Sequence, residues 1–160
     1  MRMELEQKVL DQIKARFAAV KTEEASLSVR RIFLSVPEEL FIDVLSFCAG
    51  ELGFSQLCTI TGLDAGDSFE FIYHIADAQG ILLNLKLRME QKENAVIPSV
   101  LPIYEGATFY ERELNGLLGV KIAGLPEGRQ YPLPDNWPAG EYPMRKGWIP
   151  PAKRVDEAKN

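Results

Sequence analysis

A chain of 160 residues can form one domain with a buried core, or one domain plus an extended tail, and its 46% hydrophobic and 26% charged residues are ordinary for a folded protein. Its formal charge of −5 and pI near 5.0 exclude a general nucleic-acid binder, which needs a basic footprint to displace counterions. No apolar run approaches the roughly 20 residues that span a bilayer, and the charged start (Arg2, Glu4, Glu6, Lys8) lacks the apolar stretch of a secretory signal; a cytoplasmic protein that meets the membrane only through partners is expected.

In chain order, residues 3–20 read as an amphipathic helix, because Leu5, Val9, Ile13, Phe17 and Val20 form one stripe. Thr22 to Ser28 reads as a polar connector. Arg30 to Val36 alternates as a short strand with Ile32, Leu34 and Val36 on one face. Pro37-Glu38-Glu39 then opens a second helix, since proline suits a first helical turn and carboxylates suit its positive end. Leu40, Phe41, Val44, Leu45 and Cys48 should be its buried side, and Gly50 and Gly53 bracket its end.

Phe54 to Thr61 reads as a strand and Gly62 to Ser68 as a polar turn region. Phe69, Phe71, Tyr73 and Ile75 then alternate with Glu70, Ile72, His74 and Ala76. After Asp77-Ala-Gln-Gly80, which has turn chemistry, Ile81 to Met89 alternates again, so the pair predicts a β-hairpin with one face in a core. Gln91 to Asn94 breaks the pattern, and Pro98 and Pro102 flank a short apolar segment. Thr108-Phe-Tyr-Glu111 has the spacing of a capping box, opening a helix that buries Tyr110, Leu114, Leu117 and Leu118 and stops at Gly119. The expected fold is therefore α+β: an N-terminal helix, a small mixed or antiparallel sheet with helices packed on it, and an extended proline-rich C-terminal arm.

Seven of the ten prolines lie from Pro126 onward, which disfavours regular structure there. The same stretch carries Tyr131, Leu133, Trp137, Tyr142, Met144, Trp148 and Ile149, more apolar surface than a solvated linker keeps. Prolines lower the entropy lost on docking and aromatics supply anchors. The chain thus divides into a domain over residues 1–124 and a docking arm over 125–160, laid across another protein or, as the alternative, over its own domain. Cutting the chain after Gly124 should leave the domain folded and abolish assembly with a partner.

Candidate chemistry is sparse. Cys48 and Cys58 are the only cysteines and His74 the only histidine, too few for a structural zinc site of about four ligands or a self-contained iron–sulfur cluster. Buried thiols are the expectation. Glu111 and Glu113 invite a paired-carboxylate reading, but helix positions two apart do not face one another, so a structural or interface role is favoured over catalysis. A stand-alone small enzyme using Glu111 or His74 is the competing reading, and a lone histidine is more often satisfied by neighbours than catalytic. Gly62 to Gly66 lacks the lysine and hydroxyl residue of a phosphate loop.

From Cys58 to Trp148 the chain resembles the complex I 30 kDa subunit family, also found in membrane-bound nickel–iron hydrogenases and formate hydrogenlyases. The resemblance rests on Phe71-Ile-Tyr-His74, Leu83-Asn-Leu-Lys-Leu-Arg88, Ile97-Pro-Ser-Val100 with Pro102-Ile-Tyr104, Tyr110-Glu-Arg-Glu113 with Gly119, Gly124-Leu-Pro126, Leu133-Pro-Asp-Asn-Trp137 and Tyr142-Pro-Met-Arg-Lys146, all in the family's order. Asn115 stands where complex I versions typically carry Asp, and Leu125-Pro-Glu-Gly-Arg-Gln130 where they carry His-Pro-Asp-Leu-Arg-Arg, which leans the resemblance toward energy-converting hydrogenases. The resemblance implies a non-catalytic subunit without cofactor, docked beside a nickel–iron-type large subunit and a small iron–sulfur subunit that hold the nickel–iron centre and clusters. The residues expected at the partner interface are Glu111, Arg112, Glu113, Tyr131, Trp137, Tyr142, Arg145, Lys146 and Trp148.

Overall fold

A computed structural model describes residues 3–90 and 95–150; the break at Gln91 to Asn94 and the end of the arm beyond Pro150 lie outside them. Helix α1 (Glu4–Arg16) ends earlier than its apolar stripe suggested, and buries Glu6, Val9, Leu10 and Ile13, the spacing of one helical face. Leu5, counted in the predicted stripe, is 52% exposed. Glu6 takes its inward place because its carboxylate accepts the Arg30 N–H at 2.6 Å. Arg30 has φ 61°, in the two-residue turn between β1 (Ser26–Ser28) and β2 (Arg31–Val36). The polar connector thus hides a short strand.

Pro37 leads into a single 3-10 turn, Glu38–Leu40, and then α2 (Phe41–Gly50), which buries Phe41, Val44, Leu45 and Cys48. Burial pushes the Cys48 thiol up to about 12, so it behaves as a small apolar group; Cys58 is half-buried, and both thiols are free. Strands β3 (Gln56–Asp64), β4 (Ser68–Ala76) and β5 (Leu82–Glu90) complete a five-stranded sheet in the order β1-β2-β5-β4-β3. Only β2 and β5 run parallel in it. The expected turn at Gly62 to Ser68 is shorter than its composition implies: Gly62, Leu63 and Asp64 pair with Phe71, Glu70 and Phe69, so β3 continues to the tip of the hairpin.

The alternation read in the sequence sorts the sheet's two faces. Ile32, Leu34, Val36, Phe69, Phe71, Tyr73, Ile75, Leu83, Leu85 and Leu87 are buried in one continuous core. The Phe41 ring of α2 meets Tyr73 at 4.7 Å between centroids. On the opposite face, Glu70 lies near Lys86 and Arg88, and Arg88 also reaches Asp67. His74 bridges three strands there, 2.6 Å from Asn84 Oδ1 through Nδ1 and 2.9 Å from the Thr61 hydroxyl through Nε2. Because Asn84 donates its Nδ2 to the Ile32 carbonyl, Oδ1 faces the ring as acceptor, which sets the proton on Nδ1 and leaves Nε2 to accept from Thr61. His74 is a satisfied cross-strand residue.

Beyond β5, strands β6 (Val96–Pro98) and β7 (Lys121–Ala123) form a separate two-stranded parallel sheet around α3 (Thr108–Leu118). The capping box expected at Thr108 does not form. The chain enters α3 through a 3-10 turn, Glu105–Ala107, and Thr108 already has helical dihedrals, φ −48° and ψ −46°, so its hydroxyl cannot fold back over the first turn. Gly119 does stop the helix, with φ 73° and its N–H bonded to Asn115 O at 2.9 Å. Gly62 lets α3 lie close on β3, because a side chain there would collide with Leu114 and Leu118.

Candidate functional site

Glu111 is where the third helix is anchored. It has no exposed surface, accepts the Val100 N–H at 2.6 Å and the Ser99 hydroxyl at 2.8 Å, and so ties α3 to the loop after β6. Burial raises its pKa, and the Val100 and Ser99 hydrogen bonds pull the other way. This carboxylate is neither a cap nor a surface group, and its expected place at a partner interface is corrected accordingly: it is bonded inside its own domain. Glu113, two positions on, is half-buried on another side of the helix, so the two carboxylates do not converge on one point.

The arm is held to α3 chiefly through its backbone. Arg112 donates to the carbonyls of Pro126, Glu127 and Arg129 at 3.0, 3.2 and 2.8 Å, and a side chain at Gly128 would collide with the guanidinium. Gly116 lets the arm's backbone approach, since a Cβ there would lie 2.8 Å from the Tyr131 carbonyl oxygen. Further on, Met144 N–H bonds Leu117 O at 3.1 Å, Arg145 Nε donates to Leu118 O at 2.6 Å, and Lys146 N–H donates to the Asp64 carboxylate at 2.8 Å. The Arg145 guanidinium, half-buried, also lies 4.7 Å from the Tyr142 ring centre and 5.5 Å from that of Phe69, a cation–π arrangement. The described part of the arm therefore follows the path over its own domain.

These contacts sort the expected interface residues. Arg112 and Arg145 are engaged within the chain. Tyr142 presses on Gly119. Trp137 and Trp148 are half-buried against each other at 5.9 Å, and both indoles bond Glu141, one at its carbonyl and one at its carboxylate. Tyr131 and Lys146 remain exposed. Two residues outside the expected set are exposed with them: Phe109, 64% exposed, and Met144, 57% exposed. Phe109 makes an edge-to-face contact with Tyr131 at 5.6 Å, and the pair lines an open depression with Arg112, Arg129 and Leu133. Its sequence signal was available: Phe109 falls off the apolar stripe of Tyr110, Leu114 and Leu118, so a helix on that stripe must turn it outward.

A second concavity, about 250 Å3, lies between β3 and α3, lined by Thr59 to Gly62, Glu113, Leu117 and Met144. Among the described residues no group of three or more His, Cys, Asp or Glu side chains is placed to hold a metal ion, and no helix is long and apolar enough to cross a membrane.

The family described as respiratory-chain NADH dehydrogenase, 30 Kd subunit, matches residues 34–154. A subunit of the F(420)H(2) dehydrogenase of Methanosarcina mazei is 32% identical over 143 residues, covering 88% of this chain and 89% of that protein. A subunit of the NADH-quinone oxidoreductase of Brucella ovis is 30% identical over 129 residues, covering 78% of this chain, which spans 62% of that protein's length. Among solved structures, a chain of the membrane-bound sulfane sulfur reductase, an archaeal respiratory membrane complex, superposes with a TM-score of 0.83 at 25% identity, over 98% of this chain and 93% of that one.

Proposed function

The chain belongs to the 30 Kd subunit family of respiratory-chain NADH dehydrogenase, and on that premise we propose that it is a non-catalytic structural subunit in the hydrophilic arm of a membrane-associated electron-transfer complex. The observation that carries this reading is the arm. Its backbone is fixed to α3 by Arg112, Met144 and Arg145, while Tyr131, Met144 and neighbouring Phe109 stay outside. Apolar anchors on a rigid backbone dock at small entropic cost. The mechanism is geometric: the subunit holds cluster-bearing and catalytic partners in register so that electron hops stay short. In this reading residues 1–124 are the domain and 125–160 the docking element, whose described part, to Pro150, is braced on its own domain before it meets a partner.

The partners we propose are a nickel–iron-type large subunit and a small iron–sulfur subunit, which carry the cofactors, with the membrane reached only through the complex from the cytoplasmic side. An energy-converting hydrogenase host is favoured by Asn115 and by Leu125 to Gln130, where this chain departs from complex I versions. An NADH- or quinone-linked dehydrogenase host is favoured by the name of the Brucella ovis subunit; the name of the Methanosarcina mazei subunit favours a dehydrogenase, with F(420)H(2) in place of NADH. Purification of the intact complex through a tag on this chain tests both levels. Co-elution of the two partner subunits is expected, and hydrogen evolution against NADH or quinone turnover decides the host. A chain that elutes alone with redox activity of its own would overturn the reading.

A further inference from the structure

The five-stranded sheet has two edges. One is β1, only three residues long, and short edge strands template little pairing. The other is β3, nine residues long. Its register fixes which backbone groups face outward. The Ala65 N–H bonds the Ser68 carbonyl at the hairpin's tip, and the pairs that continue in step with it are Leu63 with Glu70, Thr61 with Ile72 and Thr59 with His74. In an antiparallel ladder alternate pairs exchange hydrogen bonds. Thr59, Thr61 and Leu63 therefore point their N–H and C=O groups into β4, and Ile60 and Gly62 point theirs away from the sheet.

The ends of this edge are closed. The Tyr110 hydroxyl occupies the Cys58 carbonyl at 2.8 Å, a bulge interrupts pairing between Leu57 and Thr59, and the Lys146 N–H occupies the Asp64 carboxylate. Between these stops the outward groups of Ile60 and Gly62 have no hydrogen-bond partner among the described residues. Ile60, 4% exposed, and Gly62, half-buried, both line the 250 Å3 groove together with Leu117 and Met144. Glu113 also lines the groove, and no ion pair or hydrogen bond engages its carboxylate among the described residues. A groove with Leu117 and Met144 in its wall, two backbone residues without an internal hydrogen-bond partner and a carboxylate engaged by no ion pair is complementary to an extended peptide carrying a basic side chain.

We propose that the free edge of β3 receives an extended segment of a partner subunit, which pairs with Ile60 and Gly62 and sets a lysine or arginine against Glu113, its aliphatic stem on Leu117 and Met144. Backbone pairing supplies the attachment and the pocket beside it supplies the choice of side chain, as in other strand additions. This rests on the subunit reading above and names the contact through which it operates.

Amide exchange with single-residue resolution, on the intact complex and on the isolated full chain, tests it. The Ile60 and Gly62 amides are expected to exchange about 100-fold or more slower in the complex, with a smaller change at Thr59 and Thr61, which already donate into β4. Equal rates in complex and isolated chain overturn the strand addition and leave the subunit reading standing. Slow exchange already present in the isolated chain overturns it too, assigning the edge to the chain's own last residues, or to a second copy if the slowing depends on concentration. A chain that assembles with no partner overturns both. Glu113→Lys should lower recovery of the complex about tenfold and Glu113→Gln less; undiminished recovery with Glu113→Lys removes the basic side chain from the proposal.

Discussion

The β4–β5 hairpin and the C-terminal arm both carry many aromatic and apolar residues, and they are held in place by different physics. In the hairpin, Phe69, Phe71, Tyr73, Leu83 and Leu85 are essentially without exposed surface, and each such side chain contributes about 1.5–3 kcal/mol through burial. The arm from Pro126 to Trp148 is fixed by hydrogen bonds from Arg112, Met144 and Arg145 to carbonyls, and its own rings are half-buried or exposed. Hydrogen bonds that replace contacts with water contribute only about 0.5–1.5 kcal/mol each. Aromatic content alone therefore does not separate core from interface; what separates them is whether a second layer covers the rings.

The largest expected effect is in the hairpin. Tyr73→Ala removes a buried ring in contact with Phe41 and should cost about 3–5 kcal/mol, read from the urea midpoint at constant slope. Trp137→Ala in the arm should cost under about 1 kcal/mol by the same measurement. Similar costs for the two would erase the distinction between the regions.

Glu111 is expected next in size. Glu111→Ala leaves the Val100 N–H without its acceptor, at a cost of about 1–3 kcal/mol, whereas Glu111→Gln keeps an acceptor in place. The pair also carries a pH signature. The folded-state pKa is raised above the ordinary value of 4.5, so the folded state holds this proton more tightly than the unfolded state. The favourable contribution is fully present below the unfolded value and is lost as pH rises through the folded one. Wild type should therefore lose stability relative to Glu111→Gln between acidic and neutral pH. A constant difference across that range would show that the carboxyl's surroundings do not penalise its charge.

Arg112→Ala should act on the arm with little effect on the hairpin. Three carbonyls lose their donor, and the backbone amides from Glu127 to Tyr131 should exchange faster, while global stability falls by no more than about 1 kcal/mol. A global loss equal to that of Glu111→Ala would make the arm part of the core. Cutting the chain after Gly124, clean in expectation from sequence, is a poorer probe. It also removes Tyr142 and Arg145 from Gly119, Leu118 and Phe69.

Much of the domain was legible because it follows periodicity. The alternation of β4 and β5, the stripe of α2 and the stop at Gly119 each follow from local side-chain pattern and backbone preference. The parts that were not legible depend on contacts distant in sequence. Thr108 and Glu111 have capping-box spacing, yet the 3-10 turn before them and the Val100 N–H took the carboxylate elsewhere. Arg112 and Arg145 resemble free interface cations until the arm's carbonyls are placed beside them. The β6–β7 pair joins strands of three residues each, too short to show a period.

The smallest expected change in stability is also the most informative about what the surface is for. Phe109 and Tyr131 touch each other across the gap between α3 and the arm, but neither has a covered face comparable to the hairpin's rings. Replacing both by serine should alter folding stability by no more than about 0.5 kcal/mol. If the pair anchors a partner, the same change should lower recovery of the assembled complex at least about tenfold, because truncating a central aromatic anchor commonly costs about 2 kcal/mol or more of binding. Normal assembly by the double variant would move the docking surface away from this pair. A large loss of stability would instead mean that Phe109 and Tyr131 brace the arm, and that the division between a core built by burial and an arm built by hydrogen bonds is drawn too sharply.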